Sequence, residues 1–439
     1  MSTKPRRQTA VPTTRLGRAV RLGLMAGEVA LDGAFASARA LARGKRPGGV
    51  GAWLSVRNAE TLARRLSTLR GAAMKLGQML SLQEDLLPPE FREALAILRS
   101  QGYAMPTAQL HRVLGREYGA GWEGRFTAFD EEPLAAASIG QVHRARARDG
   151  RDLVLKIQYP GVARSIGSDV DNLAMLLRWL DFLPVELDVA GLAAEAKRQL
   201  EVEADYLQEA DHAARFARLL ARTPGILVPA VHRDFTTRRI LALDYVESVP
   251  LESLAGADVP QRTRNSIAQR IEQLLFRELF EFRLMQTDPN PANYRYQRGT
   301  DRLVLLDFGS TLELERRRVE GYRRICRAVV ADDHPAIEAA ALELGYLQPD
   351  TPPESTAGVI EIIRLVCRPL AHRGAFDFAA SQLPLEAREL GLEVAFRKGL
   401  PTPPASTLFL HRKLVGTFML CSMLGARIDV HRLVAPHLS

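Results

Sequence analysis

Two short segments in the second half of the chain constrain it most. Asp288 and Asn293 stand five residues apart in the run 286–293 (QTDPNPAN). Fourteen residues after Asn293, the apolar run 303–306 (LVLL) delivers Asp307, Phe308 and Gly309. Pro289 and Pro291 remove backbone donors and forbid a helix interior or a central strand, so the first segment reads as a loop. The second reads as a short buried strand ending in a turn. A carboxylate at a strand end, with an amide and a second carboxylate on a loop, supplies the oxygen ligands that a hard divalent cation prefers.

The spacing D-x-x-x-x-N followed by D-F-G resembles the catalytic loop and metal-binding turn of protein kinases. Phosphoryl transfer needs little covalent help but much charge neutralisation and positioning. Asp307 would bind a Mg²⁺ bridging the phosphates, Asn293 a second metal, and Asp288 would orient the attacking hydroxyl or water. Upstream, Lys156 lies within the apolar run 154–157 (VLKI). A buried lysine is costly unless paired, so this strand asks for a phosphate and a carboxylate, with Glu209 in the following helix as natural partner. The bland readings are turn and cap residues for the acidic motifs, and an edge-strand lysine facing water.

Where a kinase places its glycine-rich phosphate loop, residues 134–145 (LAAASIGQVHRA) have Gly140 as their only glycine. Alanine lacks the freedom at positive φ that lets a backbone curl over phosphates. Ala135, Ala136, Ala137, Ser138, Gly140 and Gln141 are accordingly read as a modified nucleotide loop.

The surrounding pattern divides the chain into a basic, partly disordered segment with an amphipathic helix (1–45), a helical extension (46–124), a sheet-bearing lobe (125–250) and a helical lobe (251–439). Strands are predicted at 125–129, 140–148 and 153–159, the last two joined by an Asp149-Gly150 turn. Helices at about 165–183 and 188–222 follow, then strands near 226–232 and 238–246 to complete a five-stranded sheet. Ile267, Ile271, Leu274, Leu275, Leu279 and Phe282 share one helical face. A hairpin strand at 303–306 precedes further helix to the end. The fold class is α+β: a two-lobed protein-kinase-like fold with an N-terminal helical extension.

Composition excludes several classes. Net charge is +8, yet only seven of the 59 basic residues are lysine. Each lysine is therefore informative, Lys75 and Lys156 above all. Cys326, Cys367 and Cys421 are far apart with no C-x-x-C pair, against a zinc site or disulfide framework. No apolar run reaches the roughly 18 residues of a membrane span. The positive charge is spread along the chain, against a nucleic-acid partner. Its sharpest excess is Lys4, Arg6, Arg7, Arg15, Arg18 and Arg21, all before Glu28. This suggests a helix lying on an anionic membrane surface or, as the weaker reading, a transit peptide.

Six segments in order, 74–78 (MKLGQ), 135–143 (AAASIGQVH), 156–162 (KIQYPGV), 203–210 (EADYLQEA), 285–290 (MQTDPN) and 305–311 (LLDFGST), resemble the signature set of the aarF-domain or UbiB family of protein-kinase-like proteins. MQTDPN and the C-terminal 411–418 (HRKLVGTF) are most similar to its mitochondrial coenzyme Q branch. The resemblance implies that Lys75 and Gln78, on the K-x-G-Q helix, fold over the nucleotide site where a kinase would admit a protein. It implies that Glu203 and Asp205 bond Lys75, and that Glu209 partners Lys156. Gln286 replaces a histidine common in the family, and Asn290 stands where many relatives carry histidine. The two C-terminal membrane helices of some bacterial members are absent. No A-P-E follows Phe308. The implied protein is a cytoplasmic, peripherally membrane-associated ATPase or small-molecule kinase using ATP and Mg²⁺ in ubiquinone or related isoprenoid-lipid metabolism. Its implied partners are ATP and ADP, a quinone-precursor lipid, an anionic membrane surface and a biosynthetic enzyme complex. The rival is a nucleotide-binding pseudokinase acting as lipid chaperone or scaffold, and a third reading is a protein kinase acting in trans.

Overall fold

The computed structural model describes residues 105–137, 139–179, 189–256, 258–398 and 405–439. The expected N-terminal helices, Lys75 and Gln78 on theirs, and Ser138 lie outside the described residues. The chain divides into two compact units. One comprises the described residues through Asp211 with Ala230–Tyr245; the other comprises His212–Pro229 and Val246–Ser439.

Among the described residues, the first unit opens with helix α1 (Thr107–Tyr118) and strands β1 (Phe126–Phe129), β2 (Ala135–Ala136), β3 (Gly140–Ala147) and β4 (Asp152–Gln158). Helices α2 (Val162–Trp179), α3 (Val189–Glu203) and α4 (Tyr206–Leu220) follow, the division between units falling within α4. After β5 (Ile226–Leu227), strand β6 (Ile240–Asp244) returns to the first unit. Its sheet is antiparallel in the order β1-β3-β4-β6, with β2 also paired to β3. Gly150, at φ 89°, makes the β3–β4 turn that the Asp-Gly signal predicts. Along β4 the side chains alternate: Leu153, Leu155 and Ile157 are wholly buried in a core shared with Leu110 and Leu114 of α1 and Ile166 and Val170 of α2.

Two sequence expectations need correction here. The sheet has five strands, but the fifth is β2, built from the alanine run, and not the segment 226–232. Pro229 interrupts that segment and offers no donor; β5 instead pairs in parallel with a strand of the second unit, and Val231 makes only an isolated bridge to Leu243. The long helix expected over 188–222 is broken after Glu203. Asp205 Oδ1 accepts from the amides of Leu207 (3.0 Å) and Gln208 (3.4 Å), capping α4.

The second unit contains β7 (Val249–Pro250), α5 (Gln261–Arg277), β8 (Leu284–Gln286), β9 (Tyr294–Gln297), β10 (Arg302–Leu305) and β11 (Thr311–Glu313). Its longer C-terminal helices are α6 (Arg316–Val330), α7 (His334–Leu344), α8 (Pro353–Val366), α9 (Leu383–Lys398) and α10 (Ala405–Met423). The helical end is not unbroken: β12 (Phe376–Asp377) pairs with β13 (Arg427–Ile428). The apolar face of α5 is buried as its periodicity predicts, and the helix continues into a π-helical turn, Glu278–Phe282. No helix among the described residues is long and apolar enough to cross a membrane.

Candidate functional site

In the first unit, Lys156 lies mid-strand, with Val142 and Leu241 as its register partners on β3 and β6. Its Nζ meets both carboxylate oxygens of Glu209 on α4, at 2.8 and 2.9 Å. Glu209 is 2% exposed and the lysine side chain 16%, so the pair is largely out of water. The ring of Tyr206 lies beneath the ammonium, 5.1 Å away, adding a cation–π contact.

The alanine run forms the outer arm of a tight hairpin rather than a loose loop. Ala135 and Ala136 pair with Val142 and Gln141, and Ala137 N–H donates to Gly140 O at 2.9 Å. Gly140 is required by close approach: a Cβ there would collide with the Ile157 carbonyl. The side chain of Gln141 is buried and committed within the unit. Its oxygen accepts from Met105 N (2.8 Å) and its amide donates to His143 Nε2 (2.6 Å). His143 Nδ1 in turn donates to Asp130 O (2.8 Å). Every member of this chain is satisfied if His143 is neutral, and burial indeed pushes its pKa below the usual histidine range. Glu203 ends α3 half-buried and Asp205 caps α4; their expected partner Lys75 lies outside the described residues.

In the second unit, two antiparallel ladders bring the motif residues together. In the β9–β10 hairpin, Tyr294 opposes Leu305, and Leu306 N–H donates to Asn293 O at 3.0 Å, so Asn293 and Asp307 emerge at the same end. The β8–β11 ladder pairs Gln286 with Thr311, and Thr287 N–H donates to Ser310 O at 2.7 Å, bringing Asp288 beside the Asp-Phe-Gly turn. The 14-residue spacing is thus one hairpin's length. Asn293 Nδ2 donates to Asp288 O (3.0 Å) and Oδ2 (3.2 Å), and Asp307 Oδ1 accepts from Gly309 N (3.0 Å). Phe308 is buried against Phe216, ring centres 4.8 Å apart.

Sequence reasoning missed two residues of this site. Arg412 on α10 makes an ion pair with Asp288 Oδ1, both side chains being about one-seventh exposed (14% and 15%). Next to it, Lys413 is buried (2%) and pairs with Glu278 (1%) at 2.9 Å. Burial is the largest single influence and opposes the lysine's charge, but Glu278 and Tyr294 together outweigh it and hold Lys413 protonated. One turn beyond Arg412, Gly416 lies so close to the Pro289 ring that a Cβ would overlap it, which locks α10 onto the loop. The signal was available, since Lys413 is one of only seven lysines and lies in the motif 411–418.

The donor set fits magnesium. One or two carboxylates and an amide oxygen, with the rest of the shell left to phosphates and water, is how Mg²⁺ is usually held with a nucleotide. No cluster of three or more His, Cys, Asp or Glu suited to a closed metal cage occurs among the described residues.

A sheet-bearing unit with a buried Lys–Glu pair, and a helical unit carrying the aspartate–asparagine loop and Asp-Phe-Gly turn, together define a kinase-like protein. The chain belongs to the ABC1 atypical kinase-like family, whose domain profile matches residues 97–341. It is 35% identical over 429 residues to Danio rerio "Atypical kinase COQ8B, mitochondrial", covering 96% of this chain and 68% of that protein. It is 34% identical over 433 residues to Saccharomyces cerevisiae "Atypical kinase COQ8, mitochondrial", covering 97% and 85%. A Mycobacterium tuberculosis protein, solved as a complex with erythromycin, shares 25% identity with a TM-score of 0.58, covering 86% of this chain and 95% of that one.

Proposed function

We propose that this chain is an atypical kinase or ATPase that binds Mg·ATP and acts on a small molecule, supporting ubiquinone or related isoprenoid-lipid biosynthesis at a membrane surface. Lys156, fixed by Glu209, would contact phosphate oxygens, with the hairpin of Ala135, Ala136, Ala137 and Gly140 contributing backbone; Ser138 would join them as a nucleotide-loop residue. Asp307 and Asn293 would hold the metal, whose chemistry is to neutralise the developing phosphate charge. Asp288 would orient the acceptor hydroxyl or water. Lys75 and Gln78 would restrict access by proteins, with Glu203 and Asp205 bonding Lys75. The observation that carries this reading is the stapling of the two segments 286–293 and 306–310 by paired ladders. Membership of a family whose relatives are named mitochondrial atypical kinases supports the lipid pathway.

A second reading has its own observation. The Asp288 carboxylate is engaged by Arg412, which suits a nucleotide-binding scaffold without turnover. Two measurements test these readings, the first their shared nucleotide site and the second the difference between them. Mg·ATP should raise the melting temperature of the parent but not of Asp307→Asn, which keeps the size and removes the charge facing the metal. Equal stabilisation of both would overturn the metal assignment. Phosphate release above background supports the enzyme; nucleotide binding without release supports the scaffold.

A further inference from the structure

The helical unit contains a cavity of about 760 Å³ that shares no lining residue with the site above. One face of α5, strand β13 and the short helix Val430–Val434 form its walls. Four guanidinium groups line it: Arg270 and Arg277, two turns apart on α5, with Arg427 and Arg432. Three are anchored by carboxylates, Arg270 by Asp301 (2.6 Å), Arg277 by Glu281 (2.8 Å) and Arg427 by Asp377 (2.8 Å). Anchoring fixes these side chains without exhausting them. Each guanidinium has five N–H donors; Arg270 makes three bonds with them, Arg277 two and Arg427 one. The exposed Arg432 makes no side-chain bond among the described residues. The one carboxylate of the lining, Asp429, is turned to the backbone, accepting from Arg432 N at 2.9 Å as the helix cap. Ile226, Leu274, Ile428 and Leu433 supply an apolar portion of the wall.

A surplus of forked cationic donors, three of them held by carboxylates and Arg432 unanchored, calls for an acceptor-only group with several oxygens, and phosphate matches guanidinium forks in geometry as well as charge. The apolar wall would be wasted on a bare ion. We propose that this cavity binds an anionic amphiphile, a phosphate group carried on an apolar stem, at Arg277, Arg427 and Arg432. The inference stands apart from the nucleotide reading and survives its failure.

The test is titration calorimetry on the full chain with three probes: decyl phosphate below its micelle concentration, inorganic phosphate, and decyl maltoside. Decyl phosphate should bind at least about tenfold more tightly than inorganic phosphate, and the neutral maltoside should give no saturable heat. Arg432→Gln, at an exposed position, should weaken decyl phosphate by about tenfold, the usual size of a hydrogen bond to a charged group. Arg427→Gln/Arg432→Gln should weaken it further, while stabilisation by Mg·ATP stays at the parent's value in both. Absence of decyl phosphate binding, equal affinity in parent and variants, or equal binding of the maltoside would each overturn the proposal. Inorganic phosphate binding as tightly as decyl phosphate would overturn the assigned apolar stem.

Discussion

Asp288 is held from two directions. Asn293 binds one carboxylate oxygen and Arg412 the other, so the group expected to orient an acceptor is neutralised by a cation from a distant helix. A guanidinium in contact with Asp288 also lies close to residues proposed to attract Mg²⁺. Like charges disfavour each other strongly where water is partly excluded. Arg412→Gln should therefore lower the Mg²⁺ concentration needed for half-maximal stabilisation by ATP, by about tenfold. A magnesium titration followed by thermal shift reads this directly; an unchanged or raised midpoint would show that Arg412 does not compete with the metal. Arg412 was invisible to sequence reading because arginine is this chain's default cation, and nothing in the spacing ties position 412 to 288. Gly140 was read for conformational freedom, but its φ is not positive; the close approach of the Ile157 carbonyl is what excludes a side chain.

The elements most legible in the sequence were those with clean periodicity. The apolar face of α5 is dictated by which side chains can be buried together and appears as the pattern requires; β4 reads in the sequence only as an apolar run, and its alternation of buried and half-buried side chains emerges in the fold. The alanine run was less legible, because alanine favours no pleated surface and its pairing is specified by β3. What fixes that hairpin is the buried chain Met105–Gln141–His143–Asp130, a tertiary network that local sequence does not announce. The network requires neutral His143, whose folded pKa lies below its unfolded value. The unfolded state therefore takes up the proton first on acidification. The contribution to stability is present above about pH 6.5 and is lost as pH falls below that value toward the folded pKa. His411 and His437, also lowered by burial, act in the same direction. The urea midpoint of the parent should fall between pH 7.5 and 5.5, and it should fall less in His143→Gln. Parallel pH dependences in the two proteins would show that this histidine does not titrate with unfolding.

Across the whole sequence, arginine is the usual cation and lysine is scarce. Only seven lysines occur, and two of them, Lys156 and Lys413, are the cations of the Lys–Glu pairs to Glu209 and Glu278, one in each unit. A slim ammonium on an aliphatic stem fits a packed interior where a planar guanidinium would need more room and more acceptors. The scarcity of lysine drew notice to Lys156 because it sat in a strand of apolar residues. Lys413 escaped because a helix of mixed composition gives no comparable contrast, and its burial depends on α10 packing against the loop at Gly416 and Pro289. The two pairs differ in what surrounds them. Lys156 keeps 16% of its side chain exposed, whereas Lys413 and Glu278 are sealed. Lys413→Met would leave the Glu278 carboxylate in the core without its counter-ion, a loss that typically costs about 3–5 kcal/mol. Removing both charges with Lys413→Met/Glu278→Met should recover most of that loss, since apolar residues of similar volume often replace a buried pair without penalty. Chemical denaturation of parent, single and double variants measures the cycle. A single variant as stable as the parent, or a double variant no better than the single, would mean that Glu278 does not depend on Lys413 for its place in the core.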